Sequence, residues 1–314
     1  MIQHCLTALF TLPFISGASL ASPSHETRST SLPELMADGD GPEINGWFEA
    51  YYDEFSEDFV IGRNRIEVGG EHNDVSYLIS VGYEDATSTF GLRDAYATAA
   101  WGSTDWTFGQ FRAPTTSGHL VDEANQFFLD RTGFGGGGLR QTGLMGAGNF
   151  DSFSWAVALM DDEGDPLDLN DDDEDLHARV SFDVLGSSGS SEGSYDTLGS
   201  TNLSVAAAID QGGSGDTTYI EATMSNGPLW AHAELVDTED TSPLTIAATY
   251  AISTQYEIGM RSEDLDNSNE AALSFAINRY ISGHDCKCTL QYDDFDNEDG
   301  KTDTRISLGF LVCF

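Results

Sequence analysis

The chain has 314 residues, with 13 Lys and Arg against 53 Asp and Glu, and its formal net charge is −40. This acidity excludes a nucleic-acid-binding protein, because binding to phosphates needs a basic surface. No segment reaches the roughly 18 to 20 consecutive apolar residues of a transmembrane helix, so a membrane protein with this sequence must be a β-barrel.

Residues 1–21 are predicted to be a signal peptide. The apolar run LTALFTLPFISGASLA ends in small residues and places Ser19 and Ala21 at the −3 and −1 positions of a cleavage site. The preceding MIQHC carries little positive charge, which leaves a buried core segment as the alternative. Residues 22–43 are polar and contain Pro, Asp and Gly, so they predict a flexible periplasmic lead-in.

From Ile44 to Phe314 the apolar residues recur with a period of two, which is typical of strands with one apolar and one polar face. For example, the apolar residues Val75, Tyr77, Ile79, Val81 and Tyr83 recur at every second position, and Ser76, Ser80 and Gly82 lie between them. Each candidate strand has about 9 to 12 residues, the length that a tilted strand needs to cross a bilayer, whereas strands of soluble proteins average about 5 to 6. The sixteen candidates begin near Ile44, Phe59, Val75, Phe90, Trp106, Leu139, Phe153, Leu176, Asn202, Thr218, Leu229, Leu244, Tyr256, Ala271, Cys286 and Thr304.

The connections between these strands alternate in character. Those after even-numbered strands are mostly short, such as GSTD and NGP, whereas those after odd-numbered strands are acidic and longer. Outer-membrane barrels have short periplasmic turns and long external loops. The pattern over residues 44–314 therefore predicts an all-β fold, a transmembrane antiparallel up-and-down barrel of sixteen strands. The segment 185–200, LGSSGSSEGSYDTLGS, is too long for a short turn, which leaves fourteen strands as the alternative.

The longest connection follows the fifth strand and has about 26 residues, a length that suggests a functional loop. Two adjacent aromatic residues, Phe127 and Phe128, favour packing against the barrel wall over an outward surface loop, which is the alternative. We therefore predict a constriction loop folded into the lumen. Its charged residues, expected to face arginines of the opposite wall, are Asp122, Glu123, Asp130 and Arg131.

Several arginines occupy positions that the alternation directs into the lumen. Next to Arg63 and Arg65, the residues Val60, Ile66 and Val68 are predicted to form the outward apolar face. Guanidinium groups in a narrow pore attract anions, although pairing with lumenal carboxylates is the alternative. The predicted pore-lining set is Arg63, Arg65, Glu67, Arg93, Asp94, Arg112, Arg131, Arg140, Arg179 and Arg261.

Four short motifs occur in a specific order: Arg63 with Arg65, LRDAY at 92–96, GQFRAP at 109–114 and FLDR at 128–131. Together with AINRYISGHDCKCTLQYD near the end of the chain, this order resembles the phosphate-selective porin O and P family. The resemblance implies a sixteen-stranded, trimeric outer-membrane porin for small hydrophilic solutes or ions, including anions such as phosphate. Arg112 stands where the family usually has a lysine, so a lysine-based phosphate relay is not carried over.

Cys286, Cys288 and Cys313 are predicted to be free thiols, because the side chain of Cys313 points to the opposite face from the other two. No cofactor or metal site is predicted, since an EF-hand pattern started at Asp168 has Asp173 at its required glycine.

The histidines and serines show no recognisable nucleophile setting, so an enzyme is not predicted. A non-conducting surface or structural barrel, similar to an adhesin, is the alternative function. The small inward residues favour an open channel. The predicted partners are small hydrophilic solutes or ions, the outer-membrane lipid of a Gram-negative-type bacterium and further copies of the chain, without nucleic acid.

Overall fold

The computed structural model describes residues 42–54, 58–84, 89–131, 140–161, 174–187, 189, 191–212, 215–264, 271–296 and 302–314. The predicted signal peptide and most of the predicted lead-in lie outside the described residues. The glycine run 135–138 and most of the acidic loop after the seventh strand lie outside them as well.

Sixteen antiparallel strands form a closed barrel, in which each strand pairs with its neighbours in sequence and the first strand pairs with the last. In chain order they are β1 (Glu43–Asp53), β2 (Asp58–His72), β3 (Val75–Glu84), β4 (Thr89–Trp101), β5 (Thr104–Arg112), β6 (Arg140–Phe150), β7 (Phe153–Asp161), β8 (Glu174–Leu185), β9 (Thr201–Gln211), β10 (Thr217–Asn226), β11 (Leu229–Asp237), β12 (Leu244–Ala251), β13 (Tyr256–Asp264), β14 (Ala271–Ser282), β15 (Cys286–Asp296) and β16 (Thr302–Cys313). The predicted fold and the count of sixteen are confirmed, and every predicted start lies within two residues of the observed one.

The described residues outside the strands include one short helix, α1 (Ser117–Leu120), and one 3₁₀ turn (Glu123–Asn125). No helix in this described part of the chain is long and apolar enough to cross a membrane.

The two faces of the barrel have opposite character. On β12, the apolar side chains of Leu244, Ile246 and Tyr250 are exposed on the outside, whereas Thr245 and Thr249 point inward and are buried. The same alternation recurs around the barrel, with polar and charged side chains concentrated on the inner face. This distribution is the inverse of that in a soluble protein, and an apolar outer band is the surface that lipid requires.

Two β-bulges change the predicted alternation. Between β1 and β2, Phe48 pairs with Asn64 and Ala50 pairs with Ile61, so β2 contains an extra residue at this point. The side chains of Phe59 and Ile61 are therefore exposed, and the prediction that Val60 lies on the outward face was wrong. A period-two pattern cannot reveal such an insertion, because the bulge reverses the face for every residue on one side of it.

A second bulge between β3 and β4 explains why Arg93 and Asp94 are both near the interior. Ser80 pairs with Asp94 and the next residue pairs with Leu92, which leaves Arg93 as the extra residue. The Cγ atom of Arg93 lies 3.3 Å from the position that a Cβ of Gly82 would take, and Gly82 is the partner of Arg65. Among the described residues, Cys286, Cys288 and Cys313 form no disulfide bond.

Candidate functional site

The segment between β5 and β6 lies inside the barrel. Its described part, residues 113–131, is called here the inner loop. The backbone carbonyl of Ala124 accepts a hydrogen bond of 2.8 Å from Nζ of Lys287 on β15. The carbonyl of Phe127 accepts one of 2.8 Å from Nδ2 of Asn278 on β14. Both donors lie on the inner face, so the loop contacts the wall opposite to the strands from which it comes.

The aromatic residues of the inner loop pack into the interior. Phe127 is fully buried, and Phe128 packs with it at a ring-centroid distance of 4.9 Å. Trp230 of β11 and two small alanines of the inner wall complete the cluster. A Cβ atom at Gly259 of β13 would lie 2.5 Å from the Phe127 ring, so this position accepts the ring only because it is glycine. A Cβ at Gly309 would lie 2.3 Å from Leu129 in the same way.

Glu123 is the centre of an arginine cluster. Its Oε1 atom lies 2.7 Å from Arg112, 3.2 Å from Arg131, 3.3 Å from Arg65 and 3.9 Å from Arg140. Burial acts to raise the pKa of Glu123, but these four guanidinium groups together hold that pKa well below its ordinary value. Glu123 therefore stays ionised, and the inner loop is attached electrostatically to the wall formed by β2, β5 and β6.

Further carboxylates balance the charge of this cluster. Arg63 contacts Glu49 at 3.3 Å, and Arg140 contacts Asp94 at 3.0 Å. Glu67 and Asp122 each lie 3.7 Å from a guanidinium nitrogen of Arg65. Most of the predicted pore-lining arginines are thus brought together, and each of those named here contacts at least one carboxylate.

The expected orientation of Arg131 and Glu123 was wrong. The guanidinium of Arg131 donates to the carbonyls of Gly118, His119 and Val121 within the inner loop itself. Glu123 contacts the near wall rather than the opposite one, because the loop turns back over the strands from which it comes.

Asp130 does approach an arginine across the barrel, Arg305 of β16. Its backbone carbonyl also accepts a hydrogen bond of 2.8 Å from Arg261, whose guanidinium lies 4.6 Å from the centre of the Phe128 ring. Arg261 is therefore buried beneath the inner loop and does not line an open space.

A second segment enters the interior, and the sequence did not predict it. The connection from β8 to β9, residues 186–200, is called here the inner turn; residues 188 and 190 lie outside the described part. Oε2 of Glu192 accepts a hydrogen bond of 2.8 Å from the amide of Phe127, and the amide of Glu192 donates to the carbonyl of Asn125 at 3.0 Å. In an up-and-down barrel, connections after odd and even strands lie at opposite ends, so the two segments enter from opposite ends and meet.

The inner turn is also attached to the wall formed by β13 and β14. The amide and hydroxyl of Ser194 donate to Oε1 of Glu257 at 2.6 and 2.9 Å. Tyr195 packs against Tyr280 with ring centroids 4.2 Å apart. Asp196 lies 3.2 Å from Nε2 of His284. Burial alone would raise the pKa of Asp196, but His284 and neighbouring hydrogen-bond donors lower it below its ordinary value.

A cavity of about 160 Å³ lies between the two inner segments and the wall from β8 to β12. Its charged lining consists of Arg131, Arg179, Glu192 and Glu221. Arg179 on β8 is ion-paired with Glu221 on β10, across the intervening strand β9, as its predicted inward position allows. Oε2 of Glu221 also accepts a hydrogen bond of 2.8 Å from the amide of Ser117, at the start of α1. Both signs of charge therefore face this space.

Sequence reasoning missed two polar side chains, those of Asn278 and Lys287, that hold the inner loop. Asn278 and Lys287 lie in the motif AINRYISGHDCKCTLQYD near the end of the chain, but no pattern connected them with a loop more than a hundred residues earlier. For the inner turn, the unusual length of its segment was the one available signal.

The comparisons with known proteins bear on the fold. No protein-family model and no curated protein matches the chain. A mutant of Rhodopseudomonas blastica porin has a TM-score of 0.61 and 14% identity, with 87% of this chain and 100% of that chain covered. A loop L8 deletion mutant of OmpT, an outer membrane protein of Vibrio cholerae, has a TM-score of 0.57 and 13% identity, with 87% and 99% covered. The protein thus has the sixteen-stranded barrel fold of porins.

Proposed function

We propose that the protein is an outer-membrane porin, a channel for the passive diffusion of small hydrophilic solutes and ions. The observation that carries this proposal is the inner loop, which lies across the polar interior of a closed barrel and leaves a charged cavity beside it. A water-filled channel needs a polar interior, whereas burying so many polar side chains in a core that only stabilises the fold would cost free energy.

The outward apolar band supports a location in the outer membrane, since exposed side chains such as Ile246 and Phe275 would be a liability in water. The signal peptide at 1–21 and the lead-in at 22–43 belong to this proposal, as does assembly into a homotrimer. Chemical cross-linking of the protein in detergent tests the trimer. If only the monomer is detected at every protein concentration, the proposed homotrimer is wrong.

Selectivity for anions such as phosphate is the finer form of the proposal. The arginine cluster supports anion entry, because guanidinium groups bind phosphate through paired donors. The carboxylates around Arg65 and Arg112 act against it, because a phosphate would have to compete with Glu123 for the same donors. We therefore propose a channel with mixed charge and expect phosphate to compete weakly.

A non-conducting surface or structural barrel is the second candidate. The observation that favours it is the inner turn, which meets the inner loop in the interior and reduces the open cross-section. On this proposal the two inner segments together close the barrel, and the external acidic loops carry the function.

The test is the conductance of the purified, folded protein in a planar lipid bilayer under a salt gradient, with phosphate added afterwards. Stepwise conductance supports the channel, and its reversal potential gives the charge preference. A reversal potential of the sign expected for anions, together with block by phosphate, supports anion selectivity. A reversal potential of the sign expected for cations, without block by phosphate, contradicts it. Folded barrel that inserts, as shown by protection from external protease, yet conducts no current supports the second candidate.

A further inference from the structure

Two strands bring three possible metal ligands together on the inner wall. Asp175 and His177 lie on β8 and Asp210 lies on β9, where His177 and Asp210 are direct partners in the strand register. Their side chains are buried, with residue exposures of 3%, 0% and 7%. One imidazole nitrogen and two carboxylate oxygens of this group lie within 4.8 Å of one another.

A neighbouring glutamine determines which nitrogen of His177 carries the proton. Nε2 of Gln141 donates to a carboxylate oxygen of Asp175 at 3.0 Å, so the amide oxygen of Gln141 points towards His177. That oxygen lies 2.9 Å from Nε2 of His177 and can only accept. Nε2 of His177 must therefore be the protonated nitrogen, and in the neutral imidazole Nδ1 holds a lone pair.

This lone pair faces a carboxylate. Nδ1 of His177 has no hydrogen-bond partner among the described residues, although it lies 3.2 Å from Oδ1 of Asp210. An imidazole lone pair and a carboxylate oxygen repel each other at this distance in a buried place. Either a second proton on the imidazole or a bound cation between the two atoms removes the repulsion.

We propose that Asp175, His177 and Asp210 form a binding site for a divalent first-row transition-metal cation. One imidazole nitrogen with two carboxylate oxygens is a donor set that suits Zn²⁺ or Mn²⁺, and the two carboxylates balance the charge of the cation. Gln141 is the outer-shell partner that fixes the imidazole, as ligating histidines usually require. The proposal does not depend on channel activity, because every contact belongs to the barrel wall.

A second group on the inner wall is a weaker candidate. Glu221, His232 and Glu234 also lie close together, but Glu221 is ion-paired with Arg179. Nδ1 of His232 bonds to the hydroxyl of Thr223 at 2.8 Å. In contrast, Nδ1 of His177 makes no hydrogen bond among the described residues, and Arg179, the one arginine of β8, is ion-paired with Glu221.

The test is isothermal titration of the chelator-treated, folded full-length barrel with ZnCl₂ alone, and separately with MnCl₂ and CaCl₂. We expect one tight zinc site per chain above the weak, salt-sensitive binding of the exposed carboxylates. His177→Gln and Asp210→Asn should remove the tight site and leave the weak binding. Gln141→Leu should weaken it by about tenfold or more, the usual effect of losing an outer-shell partner.

Two histidine variants serve as matched controls. His72→Gln, at the exposed end of β2, and His232→Gln, in the second group, should both retain the tight site. Loss of the site in His232→Gln but not in His177→Gln would overturn the assignment. A wild-type protein that binds zinc only weakly would also overturn it, and would indicate that a proton joins His177 to Asp210. That measurement needs no variant, so a misfolded variant cannot obscure it.

Discussion

Glu192 accepts a hydrogen bond of 2.8 Å from the backbone amide of Phe127, and this bond joins two segments that enter the barrel from opposite ends. A weaker bond of 3.4 Å comes from the amide of Phe128 to the same oxygen. The inner loop is thus fixed not only by the wall but also by a carboxylate of the inner turn.

Replacing Glu192 should loosen this junction. Glu192→Ala removes a charged acceptor of backbone amides, which typically contributes about 1.5 to 3 kcal/mol, whereas Glu192→Gln keeps an acceptor oxygen and should have a smaller effect. We expect a higher and noisier single-channel conductance, larger in the alanine variant, together with faster amide hydrogen exchange at residues 125–128. Glu239→Gln, on an exposed loop, is the control. Unchanged exchange in Glu192→Ala would show that the wall alone fixes the inner loop.

The strands could be predicted from the sequence because one face of each strand lies in apolar surroundings and the other face lies in polar surroundings. Apolar and polar residues therefore alternate along every strand. Bulges, such as the one that contains Arg93, could not be predicted, because pairing across strands decides where an extra residue is accommodated.

The candidate site was predictable only in part. The aromatic pair Phe127 and Phe128 indicated a loop folded against the wall, and this matches the burial of both side chains. The partners of that loop are long-range contacts of single polar residues, such as Asn278, which have no periodicity. Glu192 looked like an ordinary acidic residue of a turn rich in Ser and Gly, so its role in the interior was not visible.

Glu123 should determine the charge of the inner loop. Glu123→Gln leaves four arginines without their common partner, and removing one member of a buried ion pair costs about 3 to 5 kcal/mol. We expect a lower unfolding temperature and a reversal potential shifted towards anions. Glu71→Gln, at the exposed end of β2, is the control. An unchanged reversal potential in a folded Glu123→Gln variant would mean that ions do not pass this cluster.

The dependence of this attachment on pH follows from the lowered pKa of Glu123. In the unfolded chain a glutamate has a pKa of about 4.3. The stabilisation by Glu123 is therefore fully present above that pH, and it is lost as the pH falls through the lower pKa of the folded state. We expect the stability difference between wild type and Glu123→Gln to be constant from neutral pH down to about 4.3. A difference that already declines between pH 7 and 5 would contradict the lowered pKa.

Gly259 should be intolerant of a side chain. A Cβ atom there would lie 2.5 Å from the Phe127 ring, whereas a Cβ at Gly91 would have no neighbour within 4 Å. Gly259→Val should displace Phe127 and destabilise the protein by about 1 to 3 kcal/mol, the usual cost of overpacking, and it should alter the conductance. Gly91→Val is the matched control for the same change in a strand. Equal unfolding temperatures for the two variants would show that Phe127 can move without cost.

Arg179 and Glu221 should have opposite effects on ion selectivity, because they form one ion pair on the wall of the cavity. Arg179→Gln leaves the carboxylate unbalanced and should shift the reversal potential towards cations. Glu221→Gln leaves the guanidinium unbalanced and should shift it towards anions, and the double variant should return close to the wild type.

The control for charge alone is Arg279→Gln. Arg279 alternates with the inward Asn278 and Tyr280 on β14 and packs over Tyr256, so the same loss of one positive charge occurs away from the interior. If this control shifts the potential as much as Arg179→Gln, the total charge of the protein sets selectivity. If the two cavity variants shift the potential in the same direction, loosening of the inner loop dominates, because Arg179 also donates to the carbonyl of Thr115 and Glu221 accepts from Ser117. Opposite shifts with a silent control would place the ion pathway beside this pair.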